Sequence, residues 1–293
     1  MMKLSDNVAV LGNEYFNFYL VGKQEAVLLE CGTRAGAAIF KQQWLELEPK
    51  PEVKYIVILH SHFDHACGLP ILKELFPDAE VLGSAAAQKF LSKEKIVRDL
   101  YRNDAIASDL YLKNGLIQEK PDTSELDFLG IDRVVGEGDI LKLSDGLELK
   151  FLNAQGHSAC SIATYLAADN AMLVSDAAGY RSSKEDLSPV FFQDYDLYIS
   201  TLNKLKSYSS NFVGVAHGEI PQGDQIEEFY QKTLQAAEEC FDFIKNSLEQ
   251  GMDEKELTKL LFDRYIKGGL AYYPEDMMLG SMYLLIKNVK RKL

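Results

Sequence analysis

The sequence predicts a mixed α/β (α+β) fold with a helical appendage at its C-terminal end. Apolar, β-branched runs concentrate in two blocks, which predicts two β-sheets. Beyond residue 222, apolar residues recur along one face at helical spacing, which predicts amphipathic helices. We therefore expect a body over residues 1–222 and a C-terminal helical cap over residues 223–293.

The first block predicts strands that alternate with helical segments. Gly22 and Lys23 separate its first two apolar runs and predict a turn between paired strands. LPILKELF (69–76) has helical spacing, and residues 85–130 are expected to form a helical and irregular insertion. Four apolar runs predict strands, namely YFNFYLVG (15–22), EAVLLECG (25–32), KYIVILH (54–60) and AEVLGS (79–84).

The second block repeats this pattern and leads into the predicted cap. Four runs predict strands, namely LELKFLNA (147–154), SIATYLA (161–167), AMLVSDA (171–177) and NFVGVAHG (211–218). A helix over 194–208 is predicted before the last of them. Composition shifts at IPQGD (220–224), and apolar residues then recur at 226, 229, 230, 234, 237, 241, 244 and 248. Two further helices are predicted near 253–266 and 275–290.

Composition and charge narrow the class of function. Of the 293 residues, 47% are hydrophobic and 26% charged, as in a soluble globular protein. No apolar run approaches the roughly 20 residues of a membrane span. The start of the chain is too short and polar for a secretory signal, so a cytoplasmic location is expected. The net charge of −13 argues against a nucleic-acid partner, because a phosphate backbone would be repelled.

The four cysteines, at positions 31, 67, 160 and 240, form no CxxC pair. This spacing indicates neither a thiolate zinc knuckle nor a redox dithiol, so we expect reduced thiols. Cys67 and Cys160 lie near histidines and are therefore either metal ligands or small buried side chains. The second interpretation is favoured, because free cysteine is commonly buried.

Three of the five histidines fall within HSHFDH (60–65), directly after an apolar run. Side chains two residues apart on an extended backbone point the same way, so His60 and His62 are expected to reach one point. The chain then turns toward the predicted helix at 69, which lets Asp64 and His65 face a neighbouring point. Nitrogen and carboxylate donors at two adjacent points suit a pair of divalent metals.

The remaining candidate ligands also follow predicted strands. His157 comes after Gly156, where the backbone can bend sharply, and His217 and Asp176 end two further strands. Strand ends of this kind gather on one edge of an α/β fold and build sites. The alternative, a cluster of solvated or hydrogen-bonded histidines, fits this pattern less well.

HSHFDH resembles the HxHxDH signature of the metallo-β-lactamase superfamily. Later elements match in order, with GHS at 156–158, SDAAG at 175–179 and AHG at 216–218, so the resemblance covers about residues 8–220. It implies a four-layer αββα sandwich with a dinuclear metal site between the sheets. It also implies a ligand set in which His60, His62 and His157 hold one metal, Asp64, His65 and His217 hold the other, and Asp176 bridges them.

One position departs from the family pattern. The family usually has an aspartate near the first strand pair, where this chain has Glu30. The resemblance implies that such an acid orients ligand histidines from outside the ligand set. An incidental carboxylate at a strand end is the alternative.

The resemblance implies hydrolysis of an ester-like bond by a hydroxide bound to two divalent metals. A nitrogen and carboxylate donor set without a thiolate accepts zinc, iron or manganese. Zinc is expected for hydrolysis, with iron or manganese as alternatives. Asp64 is the expected catalytic residue, orienting the nucleophile and passing a proton to the leaving group. The expected substrate is a small molecule containing a thioester or lactone, ahead of an amide or phosphoester. The order GHSACS, VAHGEIP and long helices most resembles 2-aminobenzoylacetyl-CoA thioesterase-like members, so an acyl-thioester is a candidate.

Two other classes of function remain open from the sequence. Flavodiiron proteins share the implied fold but carry a glutamate where His62 stands, together with a flavin domain, and this chain has neither feature. Persulfide-oxidising iron enzymes of the fold show a sparser, mononuclear ligand set. A metal-containing binding or regulatory module is the third class, for which the fold would serve as a scaffold.

The predicted cap either covers the metals or forms a homodimer interface, and burial against the body is favoured. Residues that are candidates to line an apolar pocket are Phe90, Tyr101, Tyr111 and Leu116 in the insertion, and Tyr272, Tyr273, Met277, Met278, Met282 and Tyr283 in the cap. For most of them, simple packing of helices onto the body is the favoured interpretation. The basic run KNVKRK (287–292) either attracts phosphates of a carrier such as coenzyme A or, as favoured, complements the helix dipole.

Overall fold

Two β-sheets packed face to face form the centre of the protein in the computed structural model, which describes residues 2–121, 128–181 and 187–293. The first sheet has its strands in chain order, antiparallel from β1 to β4 and parallel from β4 to β7. Its strands are β1 (Met2–Lys3), β2 (Val8–Asn13), β3 (Phe16–Val21), β4 (Glu25–Leu29), β5 (Glu52–Ile58), β6 (Glu80–Gly83) and β7 (Arg133–Val134).

The second sheet has the order β14, β11, β10, β9, β8, and only its β14–β11 pair is parallel. Its strands are β8 (Ile140–Lys142), β9 (Glu148–Asn153), β10 (Ile162–Leu166), β11 (Ala171–Leu173) and β14 (Phe212–Gly214). A short ribbon of β12 (Tyr180–Arg181) and β13 (Leu187–Ser188) lies apart from both sheets.

The core between the sheets consists of residues that alternate along the strands. Val27 and Leu29 of the first sheet belong to the same buried cluster as Leu149 and Phe151 of the second. Because side chains on a strand point alternately to opposite faces, the other face of each sheet is free to bury helices. The Ile162 amide also donates to the Leu59 carbonyl at 2.9 Å, which joins the two sheets near the end of β5.

Helices cover the outer face of each sheet and complete the αββα arrangement. The helices of the body are α1 (Arg34–Glu46), α2 (Phe63–Ala66), α3 (Leu69–Leu75), α4 (Ala85–Leu91), α5 (Glu94–Lys113) and α6 (Tyr195–Lys206). Side-chain caps begin several of them, since Thr33 accepts from the Gly36 amide, Ser84 from the Ala87 amide and Asp194 from the Leu197 amide. These caps satisfy amide groups that have no partner within the helix.

Three further helices, α7 (Gln225–Glu249), α8 (Glu254–Tyr265) and α9 (Glu275–Lys290), follow the second sheet. The predicted apolar face of α7 is correct, because Phe229, Tyr230 and Ile244 are buried in the large core cluster. Met282 and Leu285 of α9 belong to the same cluster, which also contains residues of the first sheet and α1. The C-terminal helices therefore share a hydrophobic core with the body.

The structure differs from the sequence prediction at several elements. Helix α1 and strand β2 were not expected, and the strand that was predicted to reach residue 177 ends at Leu173. Ser175 has φ 53°, which breaks the extended conformation, and a 3₁₀ turn over Ser175–Ala178 carries Asp176. The predicted insertion at 85–130 contains α4 and α5, while its residues 122–127 lie outside the described part of the chain.

In residues 2–121, 128–181 and 187–293, no helix is long and apolar enough to cross a membrane.

Candidate metal centre

Five histidines and two aspartates meet at one end of the sandwich. Strand β5 leads to His60, and α2 carries Asp64 and His65, so one short segment supplies four of the seven residues. His157, Asp176 and His217 follow β9, β11 and β14 of the facing sheet. The structure thus brings together all seven residues that the sequence singled out.

The first cluster consists of His60, His62 and His157, whose ring nitrogens converge with a carboxylate oxygen of Asp176. The His157 Nε2 atom lies 3.3 Å from His60 Nε2 and 3.1 Å from His62 Nδ1. Burial lowers the pKa of His157 to about 3 and holds the pKa of His60 well below the usual range. Neutral imidazoles with facing nitrogens are in the form that ligates a metal.

The second cluster consists of Asp64, His65 and His217, again joined by Asp176. The Asp64 Oδ2 atom lies 3.4 Å from His65 Nε2 and 3.5 Å from His217 Nε2. Burial opposes protonation of His65, but the carboxylates of Glu30, Asp64 and Asp176 outweigh it and raise its pKa. The pKa of His217 is also raised, because Asp176 and Asp64 outweigh its burial.

Asp176 stands between the two clusters. Its Oδ2 atom is 3.7 Å from both His60 Nε2 and His157 Nε2, and 3.3 Å from His65 Nε2. Its Oδ1 atom is 3.3 Å from His217 Nε2. Burial raises the pKa of this carboxyl group, but the surrounding histidines prevail and lower it to about 2. The ionised carboxylate therefore faces histidines of both clusters, as a bridging ligand would.

Three buried atoms of this site lack hydrogen-bond partners among the described residues, and this indicates whether a cation fits. The Nε2 atoms of His65 and His217 and the Oδ1 atom of Asp176 are buried without a hydrogen-bond partner in the described structure. Buried polar atoms without partners are rare in folded proteins and call for an explanation. All three atoms belong to the second cluster, where one divalent cation would satisfy them. The donors of both clusters are those that zinc, iron and manganese accept.

The outward-facing nitrogens of three histidines are fixed by hydrogen bonds. His65 Nδ1 donates to Glu30 Oε2 at 2.9 Å, His157 Nδ1 donates to the Val190 carbonyl at 3.0 Å, and His217 Nδ1 donates to the Tyr15 carbonyl at 2.8 Å. Each bond sets the ring tautomer and leaves Nε2 free to ligate. Glu30 is fully buried and has φ 80°, so it is not an incidental carboxylate at a strand end.

Gly156 is required for the position of His157. It has φ 118°, and a Cβ atom there would lie 2.3 Å from the backbone of Tyr198 on α6. Only glycine allows both the left-handed conformation and this close approach. The sharp bend predicted at Gly156 is therefore present, and it turns the chain from β9 into the site.

Tyr273 brings the C-terminal helices into the site. It lies between a 3₁₀ turn at Gly268–Tyr272 and α9, and its hydroxyl donates to Asp64 Oδ2 at 2.8 Å. Because the accepting oxygen also faces the histidines of the second cluster, Tyr273 contacts the site itself. The sequence indicated Tyr273 only as a candidate for the pocket lining, since no local pattern connects it with a residue 209 positions away.

A cavity of about 260 Å³ opens beside both clusters. Four of the predicted pocket residues line it, namely Tyr273, Met277, Met278 and Met282. The other predicted pocket residues lie elsewhere. Tyr111, Tyr272 and Leu116 pack with Tyr15. Tyr101 lies beneath Arg34, and Phe90 and Tyr283 are exposed. Leu100, Asn103, Phe192 and Ile266 also line the cavity but were not expected from the sequence.

The cysteines and the basic C-terminal run lie outside the site. Cys67 and Cys160 are buried and belong to no group of converging ligand atoms in the described residues. In the basic run, Lys290 pairs with Glu254, and Lys292 pairs with Asp196. These ion pairs agree with the interpretation of KNVKRK as a solvated helix end.

Comparison with known proteins agrees with this geometry. The family model described as Metallo-beta-lactamase superfamily matches residues 13–217, which include all seven site residues. The chain belongs to the metallo-β-lactamase superfamily. The predicted αββα fold and the resemblance of the HxHxDH motif to this family are confirmed.

Two proteins and one solved structure are similar to this chain. A metallo-beta-lactamase fold-containing protein, ST1585 of Sulfurisphaera tokodaii, is 24% identical over 225 residues, 75% of this chain and 79% of that protein. The structure of TTHA1429 from Thermus thermophilus is similar over 99% of this chain and 95% of that one, with a TM-score of 0.68 and 18% identity. A putative diflavin flavoprotein A 2 of Synechocystis sp. is 23% identical over 224 residues, 71% of this chain but only 33% of that protein.

Proposed function

We propose that this protein is a metal-dependent hydrolase that cleaves an ester-type bond, a thioester or lactone, in a small molecule. The observation that carries the proposal is the convergence of the two clusters on Asp176 at the wall of an apolar cavity. In this proposal, His60, His62 and His157 hold one divalent cation, Asp64, His65 and His217 hold the other, and Asp176 bridges them. Zinc is the proposed metal, with iron or manganese as alternatives.

Two bound cations would supply an activated water and offset negative charge that develops on the substrate. The chain's own residues then position and protect the reaction. Asp64 lines the cavity, where a carboxylate oxygen can take a proton from the attacking water and pass it to the leaving group. Tyr273 holds that carboxylate through its hydrogen bond to Oδ2.

The overall reaction adds one water across the acyl bond. The water oxygen bonds to the carbonyl carbon, the bond to sulfur or oxygen breaks, and the leaving atom takes a proton. The apolar side chains of the cavity wall limit the access of other water molecules to this site. We further propose that residues 223–293 act as a cap, because Tyr273 and the methionines of α9 form part of that wall.

A direct experiment combines metal analysis with a substrate panel. The purified protein is tested for zinc, iron and manganese, then assayed on thioesters, lactones and phosphodiesters before and after chelation. We expect about two metal ions per chain and hydrolysis of a thioester or lactone that is lost on chelation and restored by the metal. Metal binding without hydrolysis of any member would overturn the proposal and favour a binding or regulatory role.

Redox chemistry is the second candidate function, favoured by the sequence similarity to the Synechocystis flavoprotein. Against it stands His62, because flavodiiron proteins are expected to have glutamate at this position. The two candidates differ in one measurement. Consumption of oxygen by the iron-loaded protein with an electron donor, in the absence of hydrolysis, would select the redox function.

A further inference from the structure

The cavity beside the metal centre is apolar and formed by three separate parts of the chain. Helix α5 contributes Leu100, the segment before α6 contributes Phe192, and α9 contributes three methionines. Residues of the metal centre, including His62, Asp64 and Asp176, complete the lining. A molecule in this cavity therefore contacts both apolar side chains and the two clusters.

The charges around the cavity limit what it can bind. Among the described residues that line it, none is a lysine or arginine, and its ionised groups are the carboxylates of Asp64 and Asp176. Two of its hydroxyls already donate elsewhere, since Ser188 donates to the Tyr265 carbonyl and Ser281 to the Met277 carbonyl. A charged group placed deep in the cavity would lose its hydration without gaining a partner, which is costly.

From this environment we propose that the cavity binds the acyl part of the substrate, and that this part is an uncharged, apolar group of about ten non-hydrogen atoms. The size follows from comparison with an engineered cavity of about 150 Å³ that binds benzene, a molecule of six such atoms. At the same volume per atom, the cavity of about 260 Å³ holds an acyl chain of eight to ten carbons or a small fused aromatic ring.

The proposal also gives the substrate an orientation, and it rests on the proposed hydrolase function. The carbonyl group lies at the wall formed by His62, Asp64 and Asp176, and the acyl tail lies against Met277 and its neighbours on α9. A polar or charged leaving group stays outside. Methionine side chains are flexible and polarisable, so the pocket accepts straight and aromatic tails of similar volume.

Binding of simple probes tests the pocket without any turnover. We would titrate the metal-free protein with straight-chain 1-alkanols, and the metal-loaded protein with sodium carboxylates from acetate to laurate, by calorimetry. Affinity should rise about fourfold for each added methylene and stop rising near ten carbons, where the cavity is full. A flat dependence on chain length, or tighter binding of short dicarboxylates, would overturn the inference.

Two variants and a control locate the binding site. Met277→Trp, and independently Leu100→Phe on α5, should move the limiting length to shorter chains by several carbons. Leu284→Trp changes an exposed residue of the same helix outside the cavity lining, and should leave the chain-length profile unchanged. Identical profiles for all three variants would place binding elsewhere.

The outcomes separate this inference from the proposed function. Chain-length-dependent binding without hydrolysis of any ester or thioester would support the pocket and overturn the hydrolase. Hydrolysis whose KM does not depend on acyl length would support the hydrolase and overturn the pocket.

Discussion

Replacement of Tyr273 by phenylalanine tests whether the C-terminal helices take part in the metal site. The substitution removes one hydroxyl group and keeps the ring, which packs edge-on against Phe63 at a centroid distance of 5.2 Å. The lost interaction is the buried hydrogen bond of 2.8 Å to Asp64 Oδ2, an oxygen that also faces His65 and His217. Little else in the fold should change.

The size of the effect follows from the charge of the acceptor. The pKa of Asp64 is held well below its usual range, because burial is outweighed by His65 and His217, so the acceptor is an ionised carboxylate. A hydrogen bond to a charged group contributes about 1.5–3 kcal/mol. This corresponds to roughly 10- to 150-fold in a binding constant, and loss of a group that orients a metal ligand commonly weakens metal affinity 10- to 100-fold. We expect a loss within this range for the metal bound by the second cluster.

The assay is a titration of metal-free protein with zinc against a competing chelator, which resolves the two binding events. The matched control is Tyr272→Phe, which removes the hydroxyl of a neighbouring tyrosine whose ring packs edge-on against Tyr15 at a centroid distance of 5.0 Å. That variant should bind both metals as the unmodified protein does. Equal affinities in all three proteins, or an equal loss in both variants, would refute the role assigned to Tyr273.

Three further predictions concern the clusters themselves. His62→Ala should abolish hydrolysis and strip metal from the first cluster. The fold should survive, because His62 is half-buried and its side chain caps no helix. Measurements of metal content and circular dichroism check both expectations. Asp64→Asn should lower the affinity of the second cluster for its metal and lower turnover by roughly a hundredfold or more. The control Asp78→Asn, at an exposed position, should change neither quantity. Metal binding by the second cluster should strengthen as pH rises above about 6.5. The pKa values of His65 and His217 are raised, so both imidazoles must lose a proton before they can bind a cation. Binding that weakens with rising pH would contradict the last expectation.

The seven site residues can be predicted from the sequence because their signals are local. Apolar strands end just before polar residues, and the two-residue period of a strand places His60 and His62 on one side. The hydrogen bonds that orient the rings were not accessible in the same way. The partners of His157 and His217 are backbone carbonyls of Val190 and Tyr15, and a carbonyl carries no side-chain signal.

Helix α1 and the end of strand β11 could not be predicted because their local sequence signals are weak. Helix α1 begins with ArgAlaGlyAlaAla, and its buried face includes Ala35, Gly36 and Ala37. Such small residues give little contrast between an apolar and a polar face, so the periodicity is weak. The early end of β11 depends on the left-handed conformation of Ser175, a residue type that rarely indicates positive φ.

The position of the C-terminal helices limits how a substrate can enter. Phe229, Ile244 and Leu285 are buried in the core cluster that also includes the first sheet, so the three helices cannot open as a separate lid without exposing them. Each such side chain costs about 1.5–3 kcal/mol to transfer to water. The three together would therefore cost about 4.5–9 kcal/mol, which is comparable to a typical stability margin of about 5–15 kcal/mol. Tyr273 belongs instead to the short segment between α8 and α9, which includes Gly268 and Gly269. Movement of that segment alone would break the hydrogen bond to Asp64 and expose Leu270 and Tyr273, while the packed helices remain in place. We therefore expect access to the metals to be controlled at Tyr273 and not by the helices as a unit.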